Sequence, residues 1–167
     1  MKILVRYPDR DEEREIYRRV NAGEPPESNP VMSGADVIEL QQLVRRVPIS
    51  DLLIDYTMNL VRSTRREEPH APTFVRSWVT WGIGPRGGQS LILAAKARAA
   101  LHGRPEVDIE DLRTIAPAVL RHRIVLNYSA EAANQTAESV VARLLEETPI
   151  TTSPQAHDER LRRVLQS

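Results

Sequence analysis

The 167-residue chain has no cysteine, so neither a disulfide framework nor a thiolate site is available to it. Aromatic residues are scarce: two tryptophans, four tyrosines and one phenylalanine. A core must therefore rest on Leu, Val, Ile and Ala, which suit helix packing. Net charge is also missing, since 23 Lys and Arg balance 23 Asp and Glu, and no overall field draws the molecule to nucleic acid. No apolar run approaches the roughly 18 residues of a membrane span, and no charged start leads into an apolar signal segment. A cytoplasmic protein without membrane contact is the default. His70, His102, His122 and His157 are scattered without metal-ligand spacing, which argues against a zinc site. No Ser, His and Asp are linked as a nucleophilic triad. Lysine occurs only at positions 2 and 96. The abundant arginines suit phosphate or carboxylate recognition, but compositional bias of the coding sequence explains them equally and is the simpler reading.

What remains is ordinary for one small domain: 41% hydrophobic and 28% charged residues. Lys2 to Tyr7 alternates apolar and polar positions like a short strand, closed by Pro8-Asp9. Asp11 to Val20 reads as a helix with acids first and arginines last, matching the macrodipole. Asn21 to Pro30, rich in proline, is a linker. Ser33 then caps Gly34 to Val47, with Val37, Leu40, Val44 and Val47 at helical spacing. Ser50 caps Asp51 to Arg66, with Leu52, Leu53, Tyr56, Leu60 and Val61 on one face. Thr73 to Gly84 is irregular, a turn of helix or an extended arm. Pro85 to His102 is a long helix with a thin face of Leu91, Ile92, Ala94, Ala95 and Ala99. Asp108 caps Ile109 to Arg121, with a bend expected at Pro117. Arg123 to Tyr128 extends, and Ala137 to Glu147 is amphipathic through Val140, Val141, Leu144 and Leu145. The tail from Thr148 offers a weak helix at Glu159 to Leu165. With one apolar stripe per helix and no sheet to cover, the expected fold is an all-α helical bundle with a short N-terminal strand or arm.

One run stands out: Trp81-Gly82-Ile83-Gly84-Pro85-Arg86-Gly87-Gly88. Gly82 and Gly84 permit a positive φ or a close approach to another surface, and Pro85 sets φ for a first helical turn. Arg86 then falls where free backbone N–H groups and the positive end of the helix dipole converge, a setting suited to an anion such as phosphate. The plain alternative is a loop-to-helix junction with a solvated arginine.

The surrounding residues, WGIGPRGGQSLILAAKARAALHGR (81–104) and VDIEDLRTIAPAVLRHRI (107–124), resemble the C-terminal lid of the MoxR family of AAA+ ATPases. The family's GxxPR-type segment appears as Gly82 and Gly84-Pro85-Arg86. Its GR-x-x-V-x-x-x-D-[IL] stretch appears as Gly103-Arg104, Val107 and Asp111-Leu112, and its VL-x-HR-[IV] ending as Val119 to Ile124. Val5-Arg6-Tyr7-Pro8 and Ser63-Thr64-Arg65 match the family's strand-exit and "TR" segments, so the resemblance spans roughly residues 2 to 148. Gly87-Gly88 departs from it, since at least one alanine is expected there, and this departure should loosen the first helical turn.

The resemblance implies a lid at 31–148, a junction strand, helix and linker from an AAA+ core at 1–30, and a C-terminal tail at 149–167. It implies that Arg86 is the "sensor 2" arginine, supported by the Gly84-Pro85 turn, and that it reaches the γ-phosphate of ATP. ATP and Mg²⁺ would be cofactors of the full-length parent. Its partners would be the AAA+ core, neighbouring subunits in a ring, generally a hexamer, and von Willebrand A-domain proteins. The implied output is chaperone-like assembly or metal insertion. A GxxxxGK[ST] loop is missing, because neither Lys2 nor Lys96 follows a glycine, so the expectation is a fragment without ATP hydrolysis or catalytic residues of its own. A reading of another class is a stand-alone helical DNA-binding or adaptor module, with Ile109 to Arg123 entering a groove; charge neutrality and the acids Glu110 and Asp111 weigh against it.

Other candidates have plain readings. Arg65 and Arg66 compensate a helix dipole and pair with Glu67-Glu68, with a subunit-interface role for Arg65 as the functional alternative. Arg121-His122-Arg123 is a helix C-terminus whose cations meet orphan carbonyls, with His122 satisfied by packing. Trp78 and Trp81 are packing anchors rather than base-stacking platforms.

Overall fold

The computed structural model describes residues 1–20 and 29–150. Among the described residues eight α-helices follow in order: α1 (Arg10–Val20), α2 (Gly34–Arg46), α3 (Asp51–Ser63), α4 (Thr73–Trp78), α5 (Pro85–Leu101), α6 (Ile109–Leu120), α7 (Tyr128–Ala132) and α8 (Ala137–Glu147). A two-stranded antiparallel ladder joins β1 (Val79–Trp81) to β2 (Val125–Leu126), with Val79 opposite Leu126, Trp81 opposite Val125, and an irregularity between the two pairs.

Local chemistry explains where the helices begin. Ser33 and Asp36 form a reciprocal capping box at α2, as do Asp108 and Asp111 at α6 and Thr136 and Ser139 at α8. Ser50 caps α3 through the Leu53 N–H, and Asn127 caps α7 through the Ala130 N–H. Helix α5 has Gly84 at its N-cap, Pro85 in its first turn and no side-chain cap. Its other end closes through Gly103 at φ +65°, with Gly103 N–H on the Ala100 carbonyl and Arg104 N–H on the Ala99 carbonyl, both at 3.0 Å. This paired closure needs the left-handed conformation that glycine adopts freely.

Helix α5 lies against α6, α3 and α2, and α6 in turn meets α8. Ala95 and Ala99 are fully buried, so small side chains let α5 approach its neighbours closely. The core is filled by Tyr56, Leu60, Val75, Leu91, Leu112, Val119, Leu120, Val140, Val141 and Leu144. The buried hydroxyls of Thr57 and Thr148 donate to the carbonyls of Leu53 and Leu144 one turn earlier, which removes the cost of burying them.

Several expectations change. Lys2 to Tyr7 is exposed and forms no strand, because a strand needs a partner and the ladder lies elsewhere. The arm is tethered instead through its main chain: Lys2 N–H donates to the Ala118 carbonyl and Arg121 Nη2 to the Lys2 carbonyl, both at 2.9 Å. Helix α3 stops at Ser63 rather than Arg66, since Thr64 and Arg65 turn toward the residues before α5. Thr73 to Gly84 resolves into α4 and β1, whose partner β2 lies within the stretch expected to extend. Tyr128–Ala132 forms a helix not foreseen. Helix α6 runs through Pro117 to Leu120 and passes into a 3₁₀ turn at Arg121–Arg123. Of the apolar stripe expected for α2 only Val47, at the helix's C-cap, joins the core: Val37 and Leu40 are exposed, and no residue within α2 is buried. The weak helix expected at Glu159 to Leu165 lies outside the described residues.

Candidate functional site: the turn before α5

Both main-chain polar groups of Ile83 are held from one dipeptide 18 and 19 residues earlier. Thr64 is fully buried, and its hydroxyl donates to the Val61 carbonyl at 2.6 Å while accepting the Ile83 N–H at 2.8 Å. Arg65 Nε donates to the Ile83 carbonyl at 2.9 Å. Its Nη1 reaches Glu68 Oε1 at 3.3 Å, and Glu68 Oε2 receives Arg62 Nη2 at 2.7 Å. Arg65 thus combines the expected pairing with the acidic segment and a second bond that was not foreseen.

The glycines of this turn differ in purpose. A Cβ on Gly82 would stand 2.4 Å from the Thr64 carbonyl oxygen and 2.9 Å from Arg65 Cα, so glycine is required where the two segments cross. Gly84 has φ −80° and nothing within 4 Å of a Cβ, so it has neither of the two roles expected of it. A Cβ on Gly87 would lie 2.2 Å from Cγ2 of the buried Ile83. Gly87 therefore seats the first turn of α5 directly on Ile83, which gives this departure from the family pattern a packing reason. At Gly88 the nearest atoms, on Val61 and Thr57, are at ordinary contact distance, and an alanine would fit.

Arg86 follows Pro85 in the first turn of α5 and is exposed. Its guanidinium has no hydrogen bond or ion pair with any described residue. Its carbonyl accepts the Ser90 hydroxyl at 2.9 Å, and that hydroxyl receives Arg123 Nη2 at 3.3 Å. A permanently charged planar donor thus projects from the positive end of a helix whose first turn is fixed from below. Such a group can bind an anion. No cluster of three His, Cys, Asp or Glu among the described residues is placed to hold a metal ion.

Arg98, Arg104, Arg113, Arg121 and Arg123, by contrast, are engaged within the fold. Asp111 is fully buried and accepts Arg98 Nη1 at 2.7 Å, Arg104 Nη1 at 2.6 Å, Arg104 Nη2, and the Asp108 N–H at 2.9 Å. Burial alone would raise its pKa. The hydrogen bonds from Arg104, Asp108 and Arg98 outweigh burial and hold the carboxyl far below the usual carboxylate range. The D-x-x-D spacing of Asp108 and Asp111 was the readable signal for this cluster. Arg123 Nη1 caps the Val119 carbonyl, as expected of a helix C-terminus, and contacts His122 Nε2 at 2.8 Å. Arg121 pairs with Glu138 at 3.4 Å. His122 is not fully satisfied, because its buried Nδ1 has no partner among the described residues. Burial first, and then the charge of Arg123, lower its pKa. Arg113 lies over the Tyr56 ring at 5.9 Å. With these arginines committed, the segment 109–123 presents no free basic face for a nucleic-acid groove. Trp78 is a packing residue, tilted against Phe74 with ring centroids 5.8 Å apart. Trp81, expected to be another, is 70% exposed.

Comparison with known proteins adds a second line of argument. Residues 72–144 match the AAA lid domain family. The chain is 37% identical over 145 residues to the chaperone MoxR1 of Mycobacterium tuberculosis, an alignment covering 87% of this chain and 38% of that protein. It is 31% identical over 145 residues to the uncharacterised protein YeaC of Bacillus subtilis, covering 86% of this chain and 42% of that protein. A crystal structure from Cytophaga hutchinsonii, of a protein assigned as an ATPase, superposes with a TM-score of 0.82 at 32% identity, covering 91% of this chain and 46% of the other. The chain therefore spans less than half the length of these relatives.

Proposed function

Because this chain belongs to the MoxR family of AAA proteins and carries that family's lid domain, we propose that Arg86 is its sensor 2 arginine, the group through which the lid reads the γ-phosphate of ATP held on an AAA core. The observation that carries this reading is a contrast: the turn bearing Arg86 is locked at Ile83, while the guanidinium is exposed and without a partner among the described residues. An arginine stays charged and can address two phosphate oxygens in one plane. Loss of the phosphate removes that partner and lets the lid move on the core, which turns hydrolysis into motion. In this reading the core holds the nucleotide and Mg²⁺, and this chain supplies the sensing arginine. The work done is chaperone-like remodelling or metal insertion, by a ring of subunits acting on partners such as von Willebrand A-domain proteins.

The test is Arg86→Ala in the AAA assembly that carries this lid. ATP turnover, followed as phosphate release, should fall by orders of magnitude, up to about 10³-fold as for other phosphate-directed arginines. Stability should change by less than about 0.5 kcal/mol, because no internal contact is lost. Wild-type turnover in the variant would overturn the assignment.

A further inference from the structure

We propose that Thr64 and Arg65 are positioning residues for Arg86, setting the turn that bears it through the main chain of Ile83; this rests on the reading of Arg86 given above. Ile83 is three residues before Arg86, and it is fixed in every way a residue can be. Its N–H is bonded to Thr64, its carbonyl to Arg65, and its side chain is buried under Gly87. Gly84, the next residue, has open space around it and no side chain to restrain it. It is the point at which the turn would swing if Ile83 were released. Fixing Ile83 therefore fixes where α5 starts and where Arg86 projects. An arginine whose Cα is already placed loses less freedom on meeting a phosphate, so its binding energy goes into the reaction rather than into ordering a loop.

The residue types fit this role. Threonine supplies a hydroxyl that donates to Val61 and accepts from Ile83 at once, which valine of the same shape cannot do. Arginine presents Nε to Ile83 and Nη1 to Glu68 in one rigid fork. Lysine keeps the charge but not the fork.

The test compares Thr64→Val, Thr64→Ser and Arg65→Lys. In this chain, backbone amide exchange should accelerate at least tenfold at the bonded amides of Ile83 and Gly87 in Thr64→Val and Arg65→Lys, with α6 and α8 unchanged. Thr64→Ser should restore protection. In the AAA assembly carrying this lid, Thr64→Val and Arg65→Lys should lower kcat about tenfold or more while KM for ATP moves less than twofold. Exchange that stays unchanged at Ile83 and Gly87, or that rises equally in α6 and α8, would overturn the proposal. If Arg86→Ala impairs turnover but Thr64→Val and Arg65→Lys do not, positioning is refuted and the sensor reading stands. If Arg86→Ala leaves turnover intact, the reading of Arg86 falls and takes this inference with it.

Discussion

Gly82 and Gly84 are two residues apart, and the missing side chain means something different at each. At Gly82 an added methyl would meet main-chain atoms of Thr64 and Arg65, which cannot yield without moving the crossing itself. At Gly84 the backbone is extended, as the residue before a proline prefers, and the space is open. Gly82→Ala should therefore destabilise the chain by about 1–3 kcal/mol, the usual range for overpacking a tight site. Gly84→Ala should be neutral or stabilising by up to about 1 kcal/mol, because alanine restricts the unfolded chain. Urea denaturation of the two variants at matched m-values checks this, and the opposite order would show that Gly84, not Gly82, sets the turn. From the sequence both glycines carried the same signal. Only the position of a segment 18 residues away separates them.

At the level of elements, the start of α6 is tied to the end of α5 by Asp111, and the sign of its pH dependence follows. Its folded pKa is depressed, so its contribution is complete above the ordinary carboxylate value, about 4. That contribution is lost as pH falls from there toward the depressed value. His122 also has a lowered pKa, chiefly through burial, so the unfolded chain takes up a proton first and stability declines below about pH 6.5. Thermal melts from pH 7 to pH 3 should show both losses. His122→Gln should remove the earlier one. Asp111→Asn should shrink the later one and cost about 3 kcal/mol at pH 7, since Arg98 and Arg104 lose a buried partner. Unchanged stability in Asp111→Asn would show that the cluster is dispensable. Helix starts such as those of α2, α3 and α6 were legible because capping is a local chemistry of three or four residues. The ladder of β1 and β2 was not, because pairing Val79 with Leu126 is a long-range event that leaves almost no local trace. Lys2 to Tyr7 failed for the converse reason: its alternation was local and no partner strand exists among the described residues. The place of Arg86 in the first turn of α5 was readable because proline and glycine mark the helix start, whereas the hold on Ile83 uses backbone atoms that no residue type announces.

Across the whole molecule, the core runs from Val47 to Leu144 and leaves the apolar side of α2 outside it. Val37, Leu40 and Leu43 are 43%, 44% and 46% exposed, beside the still more exposed Val31 and Met32. A stripe of this kind on a helix with a reciprocal capping box is a folded surface with an unburied face. In the reading proposed above the lid packs on an AAA core, and the α2 face offers such a contact apolar area to bury. Net charge is zero, so steering by an overall field contributes little. Leu40→Glu with Leu43→Glu should shift the stability of the isolated chain by about 1 kcal/mol or less, the range for residues outside the core. The same pair should weaken binding to a separately produced AAA core by tenfold or more in calorimetric titration, because each glutamate would place a charge in an apolar contact. A double variant that binds the core as well as the parent does would show that α2 faces solvent in the assembly, and would move the lid–core contact to another face of the bundle.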